Sequence, residues 1–165
     1  MQKIKNKKSF TISVADIGFS ISVEKNIIVY NKLKKTFKNF ISLNKNPSYY
    51  IKIYSQKSKK DLNLIKNKNG LKITLPAKII KNNKLFNFFI DKIVIYIRDI
   101  EAAHPKRVLI HSAGCFKKNK GYLFLGPSNS GKTTIAKLLK DYKLLGDDKI
   151  LLKWSKKKFY LFPFP

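Results

Sequence analysis

Two periodicities and one loop motif predict an α+β chain: a small β-rich N-terminal domain over residues 1–83, then a bridging helix and a phosphate-loop core over residues 84–165. In the first half, apolar residues alternate with polar ones at the period of a half-buried strand. At Lys84 the period changes to that of an amphipathic helix. Residues 126–133 then read Gly-Pro-Ser-Asn-Ser-Gly-Lys-Thr, matching G-x-x-x-x-G-K-[ST] at every fixed position.

Taken in order, Phe10, Ile12 and Val14 alternate with small polar residues. After Asp16 the alternation resumes on the other parity with Ile17, Phe19, Ile21 and Val23, and this phase flip beside Gly18 predicts a turn or bulge between paired strands. Leu33, Phe37, Phe40 and Ile41 fall at helical spacing. Tyr49, Ile51 and Ile53 alternate again, as do Leu71, Ile73 and Leu75 after the Asn69-Gly70 turn signal. The aromatic residues of this half read as core and sheet-face residues rather than a base-stacking platform. Leu85, Phe88, Phe89, Ile93, Tyr96, Ile97 and Ile100 trace the stripe of a long helix, with Lys92 its one polar member, and Pro105 stops it.

Two apolar segments follow, 108–116 and 121–125, joined by Lys117-Lys118-Asn119-Lys120. They predict a hairpin whose second strand runs into the loop. Ile135, Leu138 and Leu139 mark a short helix after it, ending near Tyr142. Ile150-Leu151-Leu152 resumes a strand, and Phe159, Leu161 and residues 162–165 give one more strand and its exit.

The formal net charge of +27 is carried almost wholly by lysine, with Arg98 and Arg107 the only arginines. The lysines are scattered, with short clusters in residues 5–8, 57–60, 117–120 and 156–158, and read as a solvated surface that attracts anions in general. No helix-turn-helix, RNP or zinc-finger pattern appears, so a sequence-specific nucleic-acid partner is not expected. A basic nucleic-acid-binding protein remains the rival reading from charge alone. Cys115 is the single cysteine, which excludes an intrachain disulfide and implies no cysteine-based metal site. The N-terminus lacks the apolar stretch of a signal peptide, and the longest strongly apolar run, 93–97, is far too short for a bilayer. A cytoplasmic protein without membrane contact is expected.

The loop carries the chemistry. Gly126 and Gly131 allow backbone angles and close approach that a side chain would block. The N–H groups of the loop made by Gly126, Pro127, Ser128, Asn129, Ser130, Gly131, Lys132, Thr133 and Thr134 can then surround the polyphosphate of ATP or another nucleoside triphosphate. Lys132 reaches the terminal phosphates, and the Thr133 hydroxyl ligates Mg²⁺. One short helix further on stand Asp147 and Asp148. Beside a phosphate loop, one ionised carboxylate can hold the metal while its neighbour, with a raised pKa, exchanges a proton with substrate. Gly-Asp-Asp is also good turn chemistry, and that alternative stays open.

Ile110-His111-Ser112-Ala113-Gly114, the loop, and Leu145-Gly146-Asp147-Asp148 stand in this order at short intervals. Together they resemble the HPr kinase/phosphorylase superfamily, whose P-loop core is related to that of phosphoenolpyruvate carboxykinase. The likeness runs from about Val108 to Leu152. It implies a partial P-loop kinase core behind a variable β-rich domain. It also implies catalytic roles for Asp147, as acid/base on an attacking hydroxyl, and for His111, near the phosphates. Thr133 and Asp148 would serve the metal. The implied activity is ATP-dependent phosphate transfer to a hydroxyl of a protein, peptide or small molecule, with a homo-oligomer left open. The family's catalytic domain continues past the position of residues 162–165 with further strands and helices, an acidic residue and an arginine. The chain therefore reads as a fragment or a form that has lost them, and a non-catalytic nucleotide-binding module is the alternative.

Overall fold

The computed structural model describes residues 7–43, 46–56 and 61–165, and is a mixed α+β protein with several sheets. The lysines of residues 57–60, and part of the cluster at 5–8, lie outside the described residues. The chain divides into two compact units, Met1–Ile97 and Arg98–Pro165.

In the first unit β1 (Lys7–Val14) and β2 (Ile17–Glu24) form an antiparallel hairpin about Ala15-Asp16, with Ala15 at φ 50°. This two-residue turn is the source of the parity flip, and it lies just ahead of Gly18. α1 (Ile27–Thr36) begins where the Asn26 side chain accepts the Val29 N–H at 3.0 Å, the N-cap bond that satisfies an orphan helix donor. It starts and ends earlier than the apolar spacing suggested. Phe37 is its buried C-cap, residues 38–40 tighten into a 3₁₀ turn, and Ile41 opens a short β3 (Ile41–Ser42) beside β1.

β4 (Tyr49–Gln56) runs parallel to both β2 and β6 (Gly70–Pro76), and β5 (Asn63–Asn67) closes the edge as a hairpin with β6. The order is β3-β1-β2-β4-β6-β5. Register places Ile12, Phe19, Ile21, Ile51, Ile53, Leu71 and Ile73 on one face, and all are buried. Alternation thus does its expected work: one side of the sheet is removed from water and the other is not.

α2 (Ala77–Lys81) and the 21-residue α3 (Asn83–Ala103) follow. The buried line of α3 is Phe86, Phe89, Ile93, Tyr96 and Ile97, whereas Leu85 and Phe88, expected on the stripe, are exposed. The division into compact units falls within α3, at 97/98. The reason is that this line belongs with the first unit: the Lys32 ammonium lies 4.8 Å from the Phe86 ring and that of Lys66 5.7 Å from the Tyr96 ring. Among the described residues no helix is long and apolar enough to cross a membrane.

The second unit holds β7 (Arg107–His111), β8 (Ala113–Lys117), β9 (Lys120–Phe124), α4 (Lys132–Leu138), β10 (Lys143–Gly146), β11 (Lys149–Ser155) and β12 (Lys158–Pro163). They make two antiparallel three-stranded sheets, β10-β8-β9 and β12-β11-β7. The apolar run 108–116, read as one strand, is two: it breaks at buried Ser112 and changes sheet there. The β8–β9 and β11–β12 turns have both central residues at positive φ, Lys118-Asn119 at 46° and 62° and Lys156-Lys157 at 49° and 60°. That is the form matching the right-handed strand twist. α4 stops at Leu138, short of the expected Tyr142, and 139–142 form a turn closed by Tyr142 N–H to Leu139 C=O. Arg107 pairs with Glu101, both side chains buried, anchoring the start of β7.

The Tyr96 hydroxyl is buried and has no hydrogen-bond partner among the described residues. Burial, with a smaller contribution from Tyr49, pushes its pKa up to about 12. An unpaired buried hydroxyl costs about 1–3 kcal/mol, so Tyr96→Phe is expected to raise stability by about 1 kcal/mol in urea unfolding. From pH 10 the unfolded tyrosine loses its proton while the folded one keeps it. Wild-type stability therefore falls between pH 10 and about 12, and Tyr96→Phe removes this component. Identical pH slopes for the two proteins in that window would refute the assignment.

Candidate functional site

Both chain segments that cross between the two sheets of the second unit do so at the same place. One crossing is Ser112, between β7 and β8; the other is Asp147-Asp148, between β10 and β11. The Ser112 N–H donates to the Asp148 C=O at 3.1 Å and joins them. Behind the crossings Gly146 of β10 pairs with Gly114 of β8. A Cβ on either would come within 3.0 and 3.1 Å respectively of the fully buried Ile150 side chain. The paired glycines are thus a hole for Ile150, which explains their residue type by packing.

The loop leaves β9 after Phe124 and enters α4 at Lys132, with Gly131 at φ 84°, a conformation that favours glycine. At Gly126 a Cβ would sit 2.6 Å from Ser130 Oγ, so the loop closes over an absent side chain. Lys132 is 8% exposed, and its ammonium donates to the carbonyls of Gly126 at 2.8 Å and Pro127 at 2.6 Å. Thr133 Oγ1 donates to the Asp147 C=O at 3.3 Å, tying the first turn of α4 to the acidic turn.

His111, residues 128–134 and Asp147 line one cavity of about 440 Å³. The structure therefore brings together most of the residues singled out by sequence. Gly126 and Pro127 contribute through the carbonyls that hold Lys132. Asp148 does not line the cavity: its carboxylate faces His111 Nδ1 at 3.0 Å and Lys149 Nζ at 3.4 Å. Asp147 instead faces Lys137 Nζ at 3.8 Å. The two adjacent carboxylates thus face different partners. Lys137 was missed. Its signal was the four-residue spacing from Thr133, which puts both on one face of α4.

A larger hollow of about 750 Å³ in the same unit is lined by Phe116, Leu123, Leu145, Leu152, Phe159 and Leu161 among others. Asn119, Lys120, Lys158 and Tyr160 also line it, but none of the residues singled out by the motif does; those gather at the smaller cavity. There, backbone amides, hydroxyls, an imidazole and a buried ammonium surround a space with one carboxylate at its edge. Among the described residues no group of three or more His, Cys, Asp or Glu side chains is placed to hold a metal ion. The chain matches no protein-family model and no curated protein.

The glycine hole makes a stability prediction. Gly146→Val, although favourable to a strand by propensity, forces a branched side chain on Ile150 and is expected to cost about 1–3 kcal/mol. Ile150→Ala alone should cost about 2–5 kcal/mol. In urea unfolding the double variant should lose clearly less than the sum, since the alanine vacates the space the valine needs. Strict additivity would mean that the two positions do not interlock.

Proposed function

We propose that this chain is a nucleotide-dependent phosphotransferase of the HPr-kinase-like type. It would use ATP or another nucleoside triphosphate with Mg²⁺ and act on a hydroxyl of a protein, peptide or small molecule in the cytoplasm. The observation that carries the reading is Lys132: a nearly buried ammonium with no carboxylate at ion-pair distance among the described residues, held by two carbonyls at the wall of an anion-receptive cavity. Buried lysines are rare unless paired, and a phosphate group fits as the counter-charge. The hairpin-fed loop and the short interval to Asp147 support the finer fold reading, a β-rich domain ahead of a partial P-loop core.

In this reading the amides of 128–134 and the Lys132 ammonium hold the phosphates, and the Thr133 hydroxyl is available to Mg²⁺, an ion that usually takes few protein ligands and keeps several waters. Bound Mg²⁺ supplies charge neutralisation at the phosphates. Asp147 accepts the proton of the incoming hydroxyl, with the Lys137 ammonium 3.8 Å from its carboxylate. His111, held at Nδ1 by Asp148, presents its ring at the cavity wall. Asp148 acts in this reading as a positioning residue for His111. A second reading, nucleotide binding without transfer, is favoured by the lysine's two bonds to its own loop, which must be exchanged for phosphate.

Two measurements test this. Calorimetry should show Mg²⁺-dependent ATP binding that Lys132→Ala weakens by about 10- to 100-fold, the worth of a charged hydrogen bond; equal affinities would end the phosphate-loop claim. Asp147→Asn should leave ATP affinity nearly unchanged but slow ADP release, with water as acceptor, by about 10²–10⁴-fold. ATP binding with no ADP release in the wild type would select the second reading.

A further inference from the structure

We propose a second binding surface: the helix-free face of the first unit's sheet binds single-stranded nucleic acid without sequence preference. The strand register fixes which residues share this face. Along β4 these are Tyr50, Lys52 and Tyr54, and across from them on β6 stand Gly70 and Lys72. Tyr50, Lys52 and Lys72 are exposed, and Tyr54 is half-buried. An open hollow of about 410 Å³ lies among these residues, with Asn67 and Asn69 at its rim.

Three features point to this ligand. Tyr50 is flanked in register by Ser20 on one side and Gly70 on the other, so neither residue directly opposite it has a side chain long enough to cover its ring. Lys52 and Lys72 stand directly side by side, an arrangement that costs stability on its own and gains from an anion between them. The described residues of this face include one carboxylate, Glu24, at its end. Tyr50 and Tyr54 are four residues apart on a strand, about 13 Å, with Lys52 between them. That alternation of ring, cation and ring suits a strand whose bases stack while its phosphates meet ammonium groups. An acidic polypeptide would satisfy the lysines but leave the exposed Tyr50 ring unexplained; the Tyr54 ring already has the Lys72 ammonium 5.1 Å from its centroid. A duplex, with its bases already stacked, would do the same. Sequence reading assigned the aromatic residues of this half to core and sheet face; only the register separates these two tyrosines from the buried ones.

The test uses the whole chain and a fluorescein-labelled 15-mer of deoxythymidine, followed by anisotropy at several salt concentrations. Binding is expected to be tighter than to a 15-base-pair duplex, and unchanged by Lys132→Ala or by saturating Mg·ATP. Lys52→Gln with Lys72→Gln should lower the slope of log K against log salt by about 1.4. Lys34→Gln with Lys35→Gln, removing equal charge from the exposed side of α1, should weaken binding much less. Tyr50→Leu with Tyr54→Leu should weaken it about tenfold or more. Equal loss in the two lysine pairs, equal affinity for duplex, or equal competition by polyglutamate would overturn the proposal in favour of general charge attraction. Since the tyrosine variants alter a sheet, crosslinking of a 5-bromouridine oligomer to the unaltered protein gives an independent reading. Adducts should fall on Tyr50 and Tyr54, and adducts confined to other parts of the chain would refute the surface.

Discussion

The second unit depends on one packing constraint: Ile150 must enter the hole between Gly114 and Gly146. Two small antiparallel sheets share little area for a core, so their join must be tight where the chain crosses from one to the other. Gly121 repeats the device at the far side, where a Cβ would run into the Leu161 side chain. Glycine in a strand interior costs entropy and offers nothing to pack. Here that cost is offset by letting a β-branched side chain from the next strand occupy the vacated space. Because Gly146 immediately precedes Asp147, the same contact sets where the acidic turn sits relative to β8 and thus to His111.

The site inherits its geometry from that join. α4 has only seven residues, too few to be stable from its own hydrogen bonds. It is held instead by contacts made from its side chains: Thr133 to the Asp147 carbonyl, Lys137 to the Asp147 carboxylate, and Lys132 back to the loop. The phosphate loop and the acidic turn are consequently one mechanical piece.

How far the sequence foretold this divides along physical lines. Motif and period are local, and what they encode was legible: the alternating strands of the first half, the amphipathic α3, the hairpin-fed loop and the gathering of His111 and residues 128–134 with Asp147. What required tertiary information was not. Ser112 breaks an apolar run with no glycine or proline to announce it, because the break is made by a change of pairing partner. α3 shows an almost continuous apolar surface, so its true face, shifted by one residue at Phe86, was decided by which side met the sheet. The separation of Asp147 from Asp148 follows from their place on a crossing, where one carboxylate faces Lys137 of α4 and the next faces His111 of β7 and Lys149 of β11. Adjacency in sequence had suggested a shared task.

The same distinction bears on the charge. A total of +27 says that anions are attracted but not where. In the described residues most lysines lie alone on the surface, and salt screens such charges within about a Debye length. Two placements differ in kind. Lys132 is withdrawn from solvent, where its field is weakly screened and its partners are fixed carbonyls. Lys52 and Lys72 are forced side by side by a parallel strand register that no turn signal revealed, since β4 is joined to its neighbours by crossings rather than hairpins. Specific anion recognition needs charge whose position is held by the fold. By that criterion the chain has two places where its excess charge can do more than attract, and they lie in different units.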